Sequence, residues 1–366
     1  MKILYKKFLR PILFLFDAEL IHNLFIIIGE IFGMTFIGRF LISLFYKYNG
    51  PDISKTVDGI KYKTPIILAA GFDYDGRLTQ ILHSVSFGGV EVGSITLHPY
   101  KGNKKPRLIR LIRNQSIIVN KGLKNQGVQK IISRLKHRKH KLIVGINIAR
   151  TNNYKTIKIN EGIKDFYATL VRLVKVDIGD FYTINISCPN IFGGEEFTKP
   201  DLLDRLLSKL MKVKHTKPMY IKMPINKTWE EFDELLRIII KYKKINGVII
   251  GNLNKNYDDL EFRDEAPTKY CGGLSGKPTY KLSNYLIRKT KQKYKNKLTI
   301  IGCGGIITKE DAINKFKAGA DLIQLITGMI FEGPHLMKEI CYAYSIYIKN
   351  FQKNRRFLVE KCDKGF

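Results

Sequence analysis

The chain has 366 residues, 45% of them hydrophobic, and carries 63 Lys+Arg against 32 Asp+Glu for a formal net charge of +31. The basic residues run through the whole length with no RNP-like, zinc-finger or helix-turn-helix signature. That argues against a nucleic-acid partner and leaves compositional bias or attraction to an anionic membrane surface. Five cysteines (Cys188, Cys271, Cys303, Cys341 and Cys362) without CxxC spacing or a neighbouring His pair argue against a disulfide framework or a metal site and for a reducing compartment.

The start, Met1-Lys2-Ile3-Leu4-Tyr5-Lys6-Lys7, has the charge of a signal-peptide n-region. Its apolar run is soon broken by Asp17 and Glu19 and no small-x-small cleavage site follows, so it reads as unprocessed. Residues 1–48 alternate apolar runs (Pro11–Phe16, Leu20–Phe32, Phe36–Phe45) with Asp17, Glu30, Gly33 and Arg39, and Lys6, Lys7, Arg10, Arg39 and Lys47 flank them. None reaches the roughly 18 residues of a membrane span. The pattern predicts amphipathic helices lying in a membrane interface, with a helical hairpin packed on the protein's own core as the alternative.

Eight β-rich runs follow: Ile66–Ala70, Val90–Ile95, Leu142–Ile148, Phe181–Ser187, Met219–Met223, Val248–Asn252, Leu298–Gly302 and Leu322–Ile326. Helical periodicity fills several gaps, notably Asp201–Lys214, Trp229–Lys243, Thr308–Ala318 and Pro334–Lys349. Near-continuous apolar strands alternating with helices predict a parallel sheet in a closed (β/α)8 TIM barrel, with a doubly wound sheet as the rival. Residues 96–141 and 253–280 read as insertions over the barrel mouth. The expected organisation is an amphipathic helical segment over 1–48, the barrel over 49–350 and a basic, loosely ordered tail over 351–366.

In such a barrel the chemistry sits where strands end at the carboxyl face. The first strand ends in Ala69-Ala70-Gly71-Phe72-Asp73, small residues that let a flat ring approach the backbone. The second ends at Ser94, the third at Asn147, the fourth at Asn185 with Cys188 and Asn190 beyond it, the fifth at Lys222 and the sixth at Asn252. Amides that donate and accept in one plane suit a hydrogen-bonding heterocycle, and a thiol can take up a proton. A core Cys at a strand end is the bland alternative for Cys188. Gly302-Cys303-Gly304-Gly305 and Thr327-Gly328 follow the last two strands, where barrels form a phosphate cradle from bare backbone N–H groups, and Gly272–Gly276 offers further donors.

These motifs resemble the dihydroorotate dehydrogenase family of FMN enzymes. The matching segments, in order, are Leu68–Asp73, Val90–Thr96, Lys105–Leu108, Gly145–Ile148, Asn185–Asn190, Gly272–Gly276 and Ile301–Ile306. Phe16–His22 is similar to the quinone-linked, membrane-associated class. The resemblance implies FMN across the barrel mouth, its phosphate on Gly304, Gly305 and Thr327, with Ala70, Gly71, Ser94, Asn147, Asn185, Lys222 and Gly276 around the flavin. It also implies Cys188 as general base for dihydroorotate, and Asn185, Asn190, Asn252 and Asn120 as substrate contacts. The implied function is oxidation of dihydroorotate to orotate in pyrimidine biosynthesis, with electrons passed to a membrane quinone by a peripheral protein on the cytoplasmic side. The alternatives are an FMN oxidoreductase acting on another cyclic amide, or an inactive membrane-bound barrel.

The chain departs from the family pattern at four places. Cys188 is the base of the soluble classes, whereas the quinone-linked class has Ser. Tyr74 stands where the family has a Lys. Val119-Asn120-Lys121-Gly122 puts Asn one residue late, with Lys121 or Lys124 as candidates for the missing cation. Gly251-Asn252-Leu253 replaces Thr-Asn-Thr.

Overall fold

Strands form where the sequence runs in β-branched and aromatic residues, and here eight such runs close on one another in chain order. The computed structural model describes residues 2–138 and 140–363. Its centre is a closed barrel of β1 (Ile66–Leu68), β2 (Gly89–Ile95), β3 (Ile143–Ile148), β4 (Phe181–Asn185), β5 (Met219–Met223), β6 (Gly247–Ile250), β7 (Thr299–Cys303) and β8 (Leu322–Leu325), each parallel to its neighbours. All eight expected strands are present, each within a few residues of the sequence expectation, and closure removes the doubly wound alternative.

Side chains alternate between the two faces of a strand, so each barrel strand sends every second residue inward. Ile67, Phe181, Tyr220, Ile249, Ile301 and Leu322 fill the lower lumen as one apolar cluster. Two residues further along four of these strands, the inward position is polar or a thiol: Thr183, Lys222, Cys303 and Gln324, with Glu91 and Asn147 facing the same space from β2 and β3. The outward set (Leu68, Val90, Val92, Ile184, Ile221, Val248 and Ile300 among them) packs under the helices. The polarity of the mouth is therefore written into the strands as a change of residue type at fixed phase.

The lower end of the barrel is stoppered. An antiparallel hairpin, Lys55–Val57 with Ile60–Tyr62, places Val57 and Tyr62 in the lumen cluster. At the upper end the two expected insertions meet: Leu108–Leu111, Ser116–Val119 and Gly273–Gly276 form an antiparallel three-stranded sheet. Gly272–Gly276 is thus largely strand rather than free loop. The last helix runs His335–Asp363, so residues 351–363 continue a helix instead of starting a loose tail, and residues 364–366 lie outside the described residues.

Residues 2–14 are helical, followed by α1 (Ala18–Met34) and α2 (Phe36–Tyr46). Asp17 caps α1 by accepting from Leu20 N at 2.8 Å, and Thr35 caps α2 by accepting from Gly38 N at 3.0 Å. The two helices meet at 111°, and no single helix among the described residues is long and apolar enough to cross a membrane. α1 is inside out. Its buried stripe, Glu19, His22, Ile26 and Gly33, follows helical spacing but carries the polar groups. At Gly33 a Cβ would lie 3.2 Å from Gln80 Cβ, so any larger residue would push the helix a few tenths of an ångström off the 78–81 segment. Leu20, Leu24, Phe25, Ile28, Ile31 and Phe36 face outward and exposed, so the helices rest on the barrel by one face and leave their apolar face uncovered.

Ion pairs fasten this stripe to the barrel. Glu30 contacts Arg77 and Arg138, and the buried Glu19 contacts Arg107 and Lys124, both at 3.0 Å. Burial alone would raise the Glu19 carboxyl, but the Lys124 hydrogen bond and the Lys124 and Arg107 charges outweigh it and hold it below the usual carboxylate range. A depressed carboxyl contributes stability above its unfolded value of 4.5 and loses it as pH falls through the lower folded value. Glu19→Gln is expected to weaken docking of residues 18–34 by about 2 kcal/mol, less than a fully buried pair because Lys124 stays 29% exposed. Hydrogen exchange should show faster exchange in α1 with the barrel strands unchanged, and the parent should converge on the variant as pH falls below 4.5 and through the lower folded value.

Candidate active site

The strand ends deliver a continuous polar chain around the mouth. Glu91, fully buried on β2, accepts from Asn147 Nδ2 at 2.9 Å and lies 4.0 Å from Lys222 Nζ. Ser94 donates to Asn147 Oδ1 at 2.5 Å and accepts from Asn185 Nδ2 at 2.9 Å. Asn252 Nδ2 donates to Ser187 Oγ at 2.7 Å and Asn185 Oδ1 at 3.3 Å, and Ser187 donates to the Lys222 carbonyl at 2.8 Å. The β4–β5 register sets Asn185 beside Lys222, and the β7–β8 register sets Cys303 beside Gln324.

One cavity of about 1250 Å³, counting its open mouth, collects nearly all the expected residues. Ala70, Gly71, Ser94, Asn185, Lys222, Gly276, Gly304, Gly305 and Thr327 line it, together with Cys188, Asn190 and Asn252. Two candidates are not on its wall. Asn147 is fully buried behind Ser94 and acts by orienting it. Asn120 is a correction: its side chain accepts from Asn103 Nδ2 at 2.8 Å, and the wall is made by Val119 and Lys121 on either side of it.

Gly276, Gly304, Gly305 and Thr327 lie together on one side of the cavity. Gly276, Gly304 and Gly305 have φ of +80°, +99° and +73°. At Gly305 a Cβ would fall 2.3 Å from Tyr280 Cα, so only Gly brings this backbone against the helix start beneath it. Thr327 Oγ1 donates to Ser275 Oγ at 2.9 Å, and Thr279 to the Gly276 carbonyl at 2.7 Å. The Gln324 amide lines the cavity with neither its oxygen nor its nitrogen paired. An unpaired buried amide beside a hydroxyl-and-glycine cradle fits a phosphate-bearing polar ring.

Cys188 is partly exposed, with its free surface toward the cavity rather than bulk water. Burial pushes its thiol up to about 11, while the Asn190 backbone N–H, Arg150 and Lys222 act in the opposite direction. Arg150, itself buried, donates to the carbonyls of Thr156, Phe192 and Gly194 and so pins the loop that carries the thiol. Asn103 joins that loop to the next one through the Asn190 carbonyl at 3.0 Å and Asn120 at 2.8 Å.

Sequence reasoning missed Glu91, Arg150, Asn103, Ser187 and Gln324 as parts of the site. The inward phase of β2 and β8 was a usable signal for Glu91 and Gln324. Arg150, Asn103 and Ser187 lie in loops and act through backbone carbonyls or a hydroxyl, which leave no periodic trace. His22 also reaches the cavity, from α1.

Fold and mouth together define a (β/α)8 barrel whose cavity has the chemistry to fit a phosphate-bearing flat ring opposite a thiol. The sequence profile of the dihydroorotate dehydrogenase family matches residues 52–345. The chain is 37% identical over 349 residues to a dihydroorotate dehydrogenase (quinone) of Christiangramia forsetii, covering 92% of this chain and 97% of that protein. It is 34% identical over 352 residues to a protein of the same name from Shewanella sp. (strain W3-18-1), covering 94% and 100%. A crystal structure of DHODH from Eimeria tenella in complex with ferulenol shares the fold with a TM-score of 0.75 at 23% identity, covering 92% of this chain and 93% of that one. The chain belongs to the dihydroorotate dehydrogenase family, which in general is flavin-dependent.

Ser94 is the hinge of the polar chain. Ser94→Ala would leave Asn147 Oδ1 and Asn185 Nδ2 without that partner, an expected cost of about 1–3 kcal/mol in denaturant unfolding.

Proposed function

We propose that the protein oxidises dihydroorotate to orotate in pyrimidine biosynthesis, using FMN in the barrel mouth and passing electrons to a membrane quinone. The observation that carries this reading is the convergence of Cys188, Asn185, Asn190 and Asn252 with the Gly276, Gly304, Gly305 and Thr327 cradle in one cavity. Bound FMN would accept the hydride leaving C6 of the substrate. Backbone N–H groups of Gly304 and Gly305, with the Thr327 hydroxyl, would hold its phosphate. Ala70, Gly71, Ser94 and Gly276 would border the ring, with Asn147 bracing Ser94 from behind. Asn190 and Asn252 would hold the amide edge of the substrate, and Asn185, fixed by Ser94 and Ser187, would serve both rings. Lys222, steadied by Glu91, would bring positive charge to the ring edge.

Cys188 would take the C5 proton, and it can do so only as a thiolate. With the thiol pushed up to about 11, the thiolate fraction rises about tenfold per pH unit across the neutral range. Anaerobic mixing of the yellow protein with dihydroorotate should therefore show flavin bleaching that accelerates about tenfold per unit from pH 7 to 9. Cys188→Ala should keep its colour and bleach about 10²–10⁴-fold more slowly. Bleaching at the parental rate would remove the base assignment.

The outward apolar face of α1 and α2, with the net charge of +31, supports peripheral attachment to an anionic membrane on the cytoplasmic side. Ile31→Asp with Phe36→Asp should abolish sedimentation with phosphatidylserine vesicles and slow quinone-dependent turnover, leaving flavin content and bleaching by dihydroorotate unchanged.

A further inference from the structure

A dihydroorotate site must neutralise a carboxylate, so the cavity has to offer a cation not already committed to an acid. Four potentially cationic side chains line it among the described residues: His22, Lys121, Lys124 and Lys222. Lys124 is engaged by Glu19 at 3.0 Å, and Lys222 faces Glu91 at 4.0 Å. Burial drives the His22 imidazole down to about 3, which leaves it neutral. Lys121 remains. It is 7% exposed, and its ammonium lies over the Tyr74 ring at 4.4 Å from the centroid and donates to the Tyr74 hydroxyl.

The direction of every hydrogen bond here is fixed by one carbonyl. The Phe72 carbonyl can only accept, so His22 Nε2 carries the proton that reaches it at 2.9 Å. Neutral His22 must then accept at Nδ1, and Tyr74, 3.1 Å away, is the donor. With its proton given to His22, the Tyr74 oxygen is left to accept from Lys121. One of the three ammonium donors is used in this way and two remain for a ligand. Tyr74 can offer the substrate no proton. It serves as a bracket.

We propose that Lys121 binds the substrate carboxylate, held in position by Tyr74 and, through Tyr74, by His22 of α1. This rests on the dihydroorotate reading above and adds to it a dependence of substrate binding on the N-terminal helix. α1 braces Lys121 through the His22–Tyr74 bonds, and its Glu19 is the acid that faces the ammonium from the same helix, with Lys124 and Arg107 as the facing cations. Burial first, then the Lys124 and Arg107 charges, push the Lys121 ammonium down to about 7 against the pull of Glu19. An arriving carboxylate would favour the charged form, so binding takes up a proton once pH exceeds about 7.

The test uses the full-length flavin-loaded protein and two planar probes, orotate and uracil, which lacks the carboxylate; binding is read as perturbation of the flavin absorbance. Lys121→Met should lower orotate affinity about 10- to 100-fold, the size of one charge-assisted hydrogen bond, and leave uracil affinity within about twofold. Orotate affinity of the parent should fall above pH 7, and that slope should flatten in the variant. Exchanging the two groups, Tyr74→Lys with Lys121→Tyr, returns a cation to the same contact and should restore most of the lost affinity. If Lys121→Met does not retain flavin, Lys121→Gln is read by the same criterion. Equal weakening of both probes, or unchanged orotate binding, would overturn the lysine assignment alone. A yellow parent that binds no orotate would overturn the dihydroorotate reading as well.

Discussion

The mouth of this barrel is organised around one buried carboxylate. Glu91 has no access to solvent, so its carboxyl depends on partners inside the protein: Asn147 donates to Oε1, and Lys222 Nζ stands 4.0 Å from Oε2, which has no hydrogen-bond partner. Holding the carboxyl consumes the Asn147 amide donor and leaves that residue's oxygen facing Ser94. Ser94 then has one orientation that satisfies both Asn147 and Asn185, and Asn185 in turn orients Asn252. The order of the site starts from a desolvated carboxyl at its base, and each later group inherits its direction from the one before.

A second order is imposed from the periphery. Glu19 and Glu30 hold an otherwise apolar helix against the barrel, and the same helix supplies His22 to the cavity. α1 resolves an apparent contradiction between a hydrophobic sequence and a polar contact surface by giving each its own face. The apolar runs of residues 1–48 fall on helices, and their pattern alone does not say which face turns to the barrel. Hydropathy carries no sign for inside and outside when a membrane is an available solvent.

The barrel was legible because its signal is redundant: eight apolar runs, each repeating the same two-residue phase, and helical segments between them. The glycine cradle was legible for a related reason, since φ values near +73° and +99° at Gly305 and Gly304 leave few other residue choices. Legibility failed where the turn of a single loop residue decides orientation. Asn120 is one position from Val119, and nothing local reveals that its amide turns to Asn103 while Lys121 faces the cavity. It also failed for groups whose role is to satisfy backbone carbonyls, as Arg150 does for Phe192 and Gly194. Such partners are far apart in sequence and of no particular residue type.

The hairpin that stoppers the lower lumen has a kinetic meaning. With Val57 and Tyr62 wedged among Ile67, Phe181, Tyr220 and Ile249, the barrel is a cul-de-sac rather than a conduit. Anything that reaches the strand ends must arrive and depart on the upper side, among α1, the inserted sheet and the loop that carries Cys188. Traffic there is a queue: a molecule held at the thiol has to leave by the side from which the next one comes.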